Sequence, residues 1–332
     1  MPVHTVARAE QPPPAGAPPA DPGLRGFRRL AIFTAIYIYL LIVFGGTVRI
    51  TGSGMGCGDE WPLCNGQLIP TMSLETFIEW MHRLLAAGLV VPLVALAVHV
   101  LRRRGRPGYA GPGGVARPIA LAFALLAVQV MLGAITVWLE LSAAVTALHF
   151  VTAATILACV VVAAMRAGAQ AAGSDVGAAG SGAAGAARPR YAAAALFAAA
   201  LGFLVIGMGA VTANTGAAPL CTGFPLCNGQ VVPVGGPLVH IHWTHRLLAY
   251  LLALHVVGSA IRARVAPPAV RRSVFVAVAA VAMQIVVAAA LVIERLPRWL
   301  QVLHLAVGAA VWVSLVVWAT IARRHDRAAR AA

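Results

Sequence analysis

The chain has 332 residues, 60% of them hydrophobic and 11% charged, with a mean hydropathy of +0.85. A soluble domain cannot bury that much apolar surface, so the composition excludes one and indicates an integral membrane protein. The formal charge of +15 comes from arginine alone, since the sequence has no lysine, and the arginines cluster between apolar runs, a pattern of membrane topology and not of a nucleic-acid-binding face.

Residues 1–26 are rich in Pro and Ala and are expected to form a disordered tail. No apolar segment precedes a cleavage site there, so a removable signal peptide is not expected and the first apolar run reads as an uncleaved anchor. Apolar runs then fall at 30–48, 78–100, 118–138 and 144–166, each near the roughly 20 residues that cross a hydrocarbon core. A Gly/Ala/Ser-rich stretch, 167–190, reads as a flexible linker. Four more runs follow at 191–212, 238–262, 272–293 and 299–322, with a short tail at 323–332. The expected fold is an all-α integral membrane protein of eight transmembrane helices. Two pseudo-symmetric four-helix bundles, 27–166 and 191–322, make it up. The runs are too long and unbroken for alternating barrel strands.

Twenty of the 25 arginines lie in the N-terminal tail, the 101–117, 166–190 and 262–272 segments and the C-terminal tail. With eight spans all five segments share one side. The positive-inside rule makes that side, and both termini, cytoplasmic in a multi-pass cell-membrane protein. The 49–77 and 213–237 loops, which hold paired cysteines, then face outward, where disulfides persist.

The two halves repeat. Cys57, Cys64, an NGQ triplet and EWMHRLLA in the first correspond to Cys221, Cys227, NGQ and HWTHRLLA in the second. His82 aligns with His245 at an offset of 163, while Gln129 and His149 align with Gln284 and His304 at 155. Four spans per repeat is an even number, so the halves run the same way, related by a pseudo-two-fold axis along the membrane normal.

His82, His149, His245 and His304 each lie just inside the start of an even-numbered span, on the order of one to two turns below the outer surface at 1.5 Å per residue. A single such histidine serves packing as readily as ligation. Two pairs in register point to ligands, because intramembrane ionisable groups are costly. A flat bis-imidazole haem between two helices is the natural occupant of each pair. No C-x-x-C-H motif is present, so thioether attachment is not expected. His99 and His255 read as packing or interfacial residues, and His240 and His242 are competitors to His245.

Glu79 lies three residues before His82, on one helix face. Its repeat counterpart is His242, so the two sites are chemically unequal. A carboxylate beside a porphyrin stabilises positive charge or moves a proton; the bland alternative is an acid favoured by the helix dipole. Arg83 and Arg246 fit either as partners of haem propionates or as interfacial anchors. The pairs Cys57–Cys64 and Cys221–Cys227 are expected as two local disulfides, with zinc as the runner-up, and Cys159 reads as structural.

These residues resemble the haem A synthase family, of the prokaryotic kind with cysteine pairs in the first and third outer loops. The resemblance rests on Glu79-x-x-His82, His149, His245, His304 and both cysteine loops, and spans about residues 27–322. It implies a membrane oxidoreductase that converts haem O to haem A for terminal oxidases, by oxidising a porphyrin methyl group through an alcohol to a formyl. It further implies substrate haem O between His82 and His149, a resident haem b between His245 and His304, and Glu79 as the catalytic acid. A haem O synthase and a membrane electron acceptor are the expected partners. The competing functions are a di-haem b-type electron-transfer cytochrome, which has no need of a carboxylate in one half only, and a haem transporter or chaperone, which predicts a helix broken at mid-membrane.

Overall fold

The computed structural model describes residues 22–172 and 190–331. Eight α-helices follow in chain order: α1 (Pro22–Thr51), α2 (Leu74–Arg103), α3 (Ala116–Trp138), α4 (Ala143–Ala171), α5 (Tyr191–Asn214), α6 (Pro237–Arg262), α7 (Pro268–Ile293) and α8 (Arg298–Ala331). All eight are long and apolar enough to cross a membrane. No strand occurs among the described residues beyond two isolated bridges, Cys64 with Gln67 and Cys227 with Gln230. Backbone groups in hydrocarbon must be paired within the element, and helices achieve this.

Three helices run past the apolar segments that announce them. α1 starts at Pro22, inside the segment expected as tail; α4 continues to Ala171, inside the expected linker; α8 continues to Ala331. A helix needs no apolar side chains once it has left the membrane, and AGAQA and RHDRAARA are good helix formers. The α8 extension also docks: Asp326, 6% exposed, accepts from the backbone N–H groups of Tyr191 (3.2 Å) and Ala192 (2.9 Å). Its carboxylate thus caps the first turn of α5. The rest of the expected tail and linker, 1–21 and 173–189, lies outside the described residues.

Each half closes into a ring. α1 packs on α2 and α4, and α3 on both of those; α5, α6, α7 and α8 repeat the arrangement. The halves meet through α4 with α8, α4 with α5, and α1 with α8. The last two contacts exchange under a two-fold that maps α1 to α5 and α4 to α8, so the packing has the expected pseudo-symmetry. Cross-bonds tie the seam: Trp312 Nε1 donates to Ala154 O at 2.8 Å, and the Tyr39 hydroxyl to Ala306 O at 2.9 Å. Large apolar residues such as Val91, Leu254 and Val286 point outward, where lipid replaces water.

The α3–α4 and α7–α8 connections share one turn. Glu140 and Leu141 have φ of 47° and 65°, and Arg295 and Leu296 have 57° and 64°. Two successive left-handed non-glycine residues are uncommon. Here they recur at one repeat position, and each places a histidine, His149 or His304, eight residues on.

Candidate haem pockets and catalytic carboxylate

The cysteine loops join α1 to α2 and α5 to α6. Disulfides link Cys57 to Cys64 and Cys221 to Cys227, with Cα separations of 4.4 and 4.9 Å. The NGQ triplet is a turn device: Asn65 and Gly66 have φ of 50° and 74°, Asn228 and Gly229 have 53° and 76°. Asn-Gly is the preferred pair for a two-residue turn with both φ positive, and it pairs Cys64 with Gln67 and Cys227 with Gln230. The cysteines form two separate pairs, and no group of three or more His, Cys, Asp or Glu converges among the described residues. The zinc alternative therefore has no site here.

Each loop is fastened from below by two helix side chains. Trp80 Nε1 donates to Leu68 O at 2.9 Å, and Trp243 Nε1 to Val231 O at 2.8 Å. Arg83 Nη1 donates to the carbonyls of Glu60 (2.9 Å) and Leu63 (2.7 Å). Arg246 Nη1 donates to the equivalent carbonyls of Gly223 (2.8 Å) and Leu226 (3.0 Å), and its Nη2 to Cys221 O at 2.6 Å. Both arginines thus hold loop backbone, a partnership that charge and spacing did not foretell. The tryptophans lie inside the repeated motif and were detectable by the same alignment.

At the position one turn before the arginine the halves part. Glu79, 4% exposed, accepts from Arg83 Nη2 through Oε1 at 2.6 Å and from the Cys57 N–H through Oε2 at 2.9 Å. His242, also buried, accepts from Arg246 Nε at 3.1 Å. Glu79 therefore joins the disulfide loop to α2 through a charged bond, whereas the second half uses a neutral ring. Burial of a carboxylate is costly without such partners.

The four histidines fall into two pairs. His82 on α2 and His149 on α4 occupy the same places in the first half as His245 on α6 and His304 on α8 in the second. Small residues make the space. A Cβ on Gly45 of α1 would lie 2.9 Å from His82 Cε1, and one on Gly209 of α5 would lie 3.0 Å from His245 Cε1. Gly45 and Gly209 are repeat equivalents that the sequence reading missed; their offset of 164 matches that of Cys57 and Cys221. A Cβ on Gly133 would come within 3.3 Å of His149 Cε1. The Gln129 amide nitrogen lies 3.1 Å from His149 Nε2 and the Gln284 amide nitrogen 3.0 Å from His304 Nδ1, and these bonds fix both rings.

These residues fit a haem in each half. In the first, the buried Nδ1 atoms of His82 and His149 have no hydrogen-bond partner, a cost that a bound group removes. In the second, His245 Nδ1 donates to Val205 O at 3.1 Å. The carbonyl can only accept, so Nε2 keeps its lone pair as a metal-ligating imidazole requires. A bare transition metal needs about four protein ligands. Two imidazoles suit an iron whose other four positions belong to a porphyrin.

The remaining histidines lie apart from this set. His240 is exposed and its ring bonds to Gly236 O; His99 stacks on Tyr109; His255 bonds to Ala194 O. Cys159 is a buried free thiol.

Comparison with known proteins gives a consistent picture. The family model described as Cytochrome oxidase assembly protein (COX15-CtaA) matches residues 28–316. A protein named Heme A synthase from Shouchella clausii is 32% identical over 69% of this chain and 73% of its own length. One of the same name from Alkalihalophilus pseudofirmus is 33% identical over 68% and 72%. Another from Symbiobacterium thermophilum is 29% identical over 87% and 93%.

Proposed function

The chain belongs to the cytochrome oxidase assembly protein family, and from that premise we propose that it is a haem A synthase. It oxidises a methyl group of haem O to a formyl group through an alcohol. The substrate occupies the first half between His82 and His149, and a resident haem b occupies the second between His245 and His304. The observation that carries the reading is a break in the repeat beside the first histidine of each half. A buried carboxylate, Glu79, stands where the second half has His242, while the surrounding arginine and tryptophan contacts are the same.

The protein's residues divide the work. His82 and His149 orient the substrate. With both imidazoles engaged by the substrate, oxidation would proceed by withdrawal of electrons through the macrocycle. The methyl group would lose two electrons and a proton, Glu79 stabilising the cation so formed; water adds with loss of a second proton to give the alcohol, and a further loss of two electrons and two protons gives the formyl group. Water supplies the oxygen. Arg83 and the Cys57 N–H hold Glu79 in place, which avoids reorganisation at the moment of reaction. The resident haem supplies a one-electron relay when bound. His245, oriented by Val205 O, and His304, held by Gln284, retain it. Arg83 and Arg246 act through the loops they fasten, which close the pockets on the cysteine side. That side is extracytoplasmic, since the arginine clusters mark the opposite ends. A haem O synthase delivers the substrate, and a membrane carrier accepts the electrons.

Cells supplied with haem O and grown in labelled water should yield haem A whose formyl oxygen carries the label, once exchange with solvent is controlled. Label arriving from dioxygen instead would sink the water-capture route. Haem A failing to form at all in cells with the intact protein would remove the assignment.

A further inference from the structure

We propose that Arg49 is the propionate-binding residue of the first pocket and so fixes which edge of the substrate porphyrin faces the cysteine loops. The proposal rests on the reading of His82 and His149 as haem ligands. Five arginines lie toward the cysteine-loop end: Arg49, Arg83, Arg246, Arg295 and Arg298. Arg83 and Arg246 are bound to loop carbonyls, and Arg295 and Arg298 are exposed in the second half. Arg49, in the last turn of α1, is half-buried. Its one acceptor among the described residues is Ala213 O, 3.1 Å from Nη1, and no carboxylate among them pairs with it.

A guanidinium carries five N–H donors and does not lose its charge. One carbonyl leaves most of that capacity open on a half-buried cation, and a partly desolvated charge without a counter-ion is costly. The missing partner is an anion. Position says which one. Arg49 lies four residues beyond Gly45, the residue against His82, and so one turn outward, rotated by about 40°. That rotation is toward the side of Gly46, which abuts Leu305, the residue after His304. Arg49 therefore stands over the rim of the first pocket at the seam between the halves. Its repeat counterpart is Ala213, the residue it bonds to, so the second half has no such group. Planar bidentate pairing with a carboxylate is what guanidinium geometry favours, and haem O presents two carboxylates on one edge.

The test uses the full chain, purified with its resident haem, titrated with haem O and with haem O dimethyl ester, followed by the Soret band. The intact protein should bind the free acid about 10- to 100-fold more tightly than the ester, as loss of a charge-assisted bond implies. Arg49→Gln should bind the two alike, and Arg49→Lys should restore part of the preference. Equal binding of acid and ester by the intact protein would overturn the proposal, and so would an Arg49→Gln protein that keeps the full preference. Should Arg49→Gln fail to fold, the intact protein and Arg49→Lys still decide. Haem O binding without ester discrimination removes Arg49 alone; no Soret change with haem O removes the haem reading beneath it.

Discussion

Glu79 and His242 occupy one position of the repeat, and each bonds to the arginine one turn on: Glu79 Oε1 to Arg83 Nη2 at 2.6 Å, His242 Nε2 to Arg246 Nε at 3.1 Å. The arginine contacts to loop carbonyls around them are shared, so the halves differ here in the side chain itself. Glu79 has two duties, one at Arg83 and one at the Cys57 N–H.

Glu79→Ala should therefore lower stability more than Glu79→Gln, which still offers an oxygen to the Cys57 N–H. Leaving a buried donor without its acceptor costs about 1–3 kcal/mol. Thermal unfolding of both variants in detergent checks this, and equal midpoints would show that the loop tie contributes nothing.

Gly45→Ala and Gly209→Ala should each reduce haem content, in the first and second half respectively, because the added methyl displaces the ring of His82 or His245. Gly258→Ala, in α6 with nothing within 4 Å of the added carbon, is the control and should leave content unchanged. Haem-to-protein ratios by pyridine haemochrome decide, and undiminished binding in Gly45→Ala would detach that glycine from the pocket.

Alkylation of the denatured, unreduced protein should modify Cys159 alone, and all five cysteines should react after reduction. Mass spectrometry of peptides reads the count directly. Reactive Cys57 or Cys221 before reduction would mean that the loops are open in the purified protein.

Replacing His245 or His304 by alanine should abolish the resident haem spectrum while leaving haem O titratable into the first half. Replacing His82 or His149 should do the reverse. A resident spectrum untouched by His304→Ala would reassign the second-half ligand.

The eight spans and the repeat were legible because hydrocarbon imposes a length of apolar sequence that water does not. Ends of helices outside that layer were not, since Pro22, Ala171 and Ala331 lie where composition no longer reports on structure. The places of the four histidines near the starts of α2, α4, α6 and α8 were legible from register alone. The partners of Arg83 and Arg246 were not, because their acceptors are carbonyls of an irregular loop, and every residue has a carbonyl. Gly45 and Gly209 stood in plain view at the repeat offset. A glycine in an apolar helix is easily passed over until a ring is seen against it.

In the proposed function Glu79 performs chemistry beyond holding a loop. The direct measurement is chromatography of haems extracted from cells expressing Glu79→Gln with haem O supplied, beside the haem content of the purified variant. Haem O should be bound at the level of the intact protein and haem A should be absent. Haem A at the intact protein's level would contradict it.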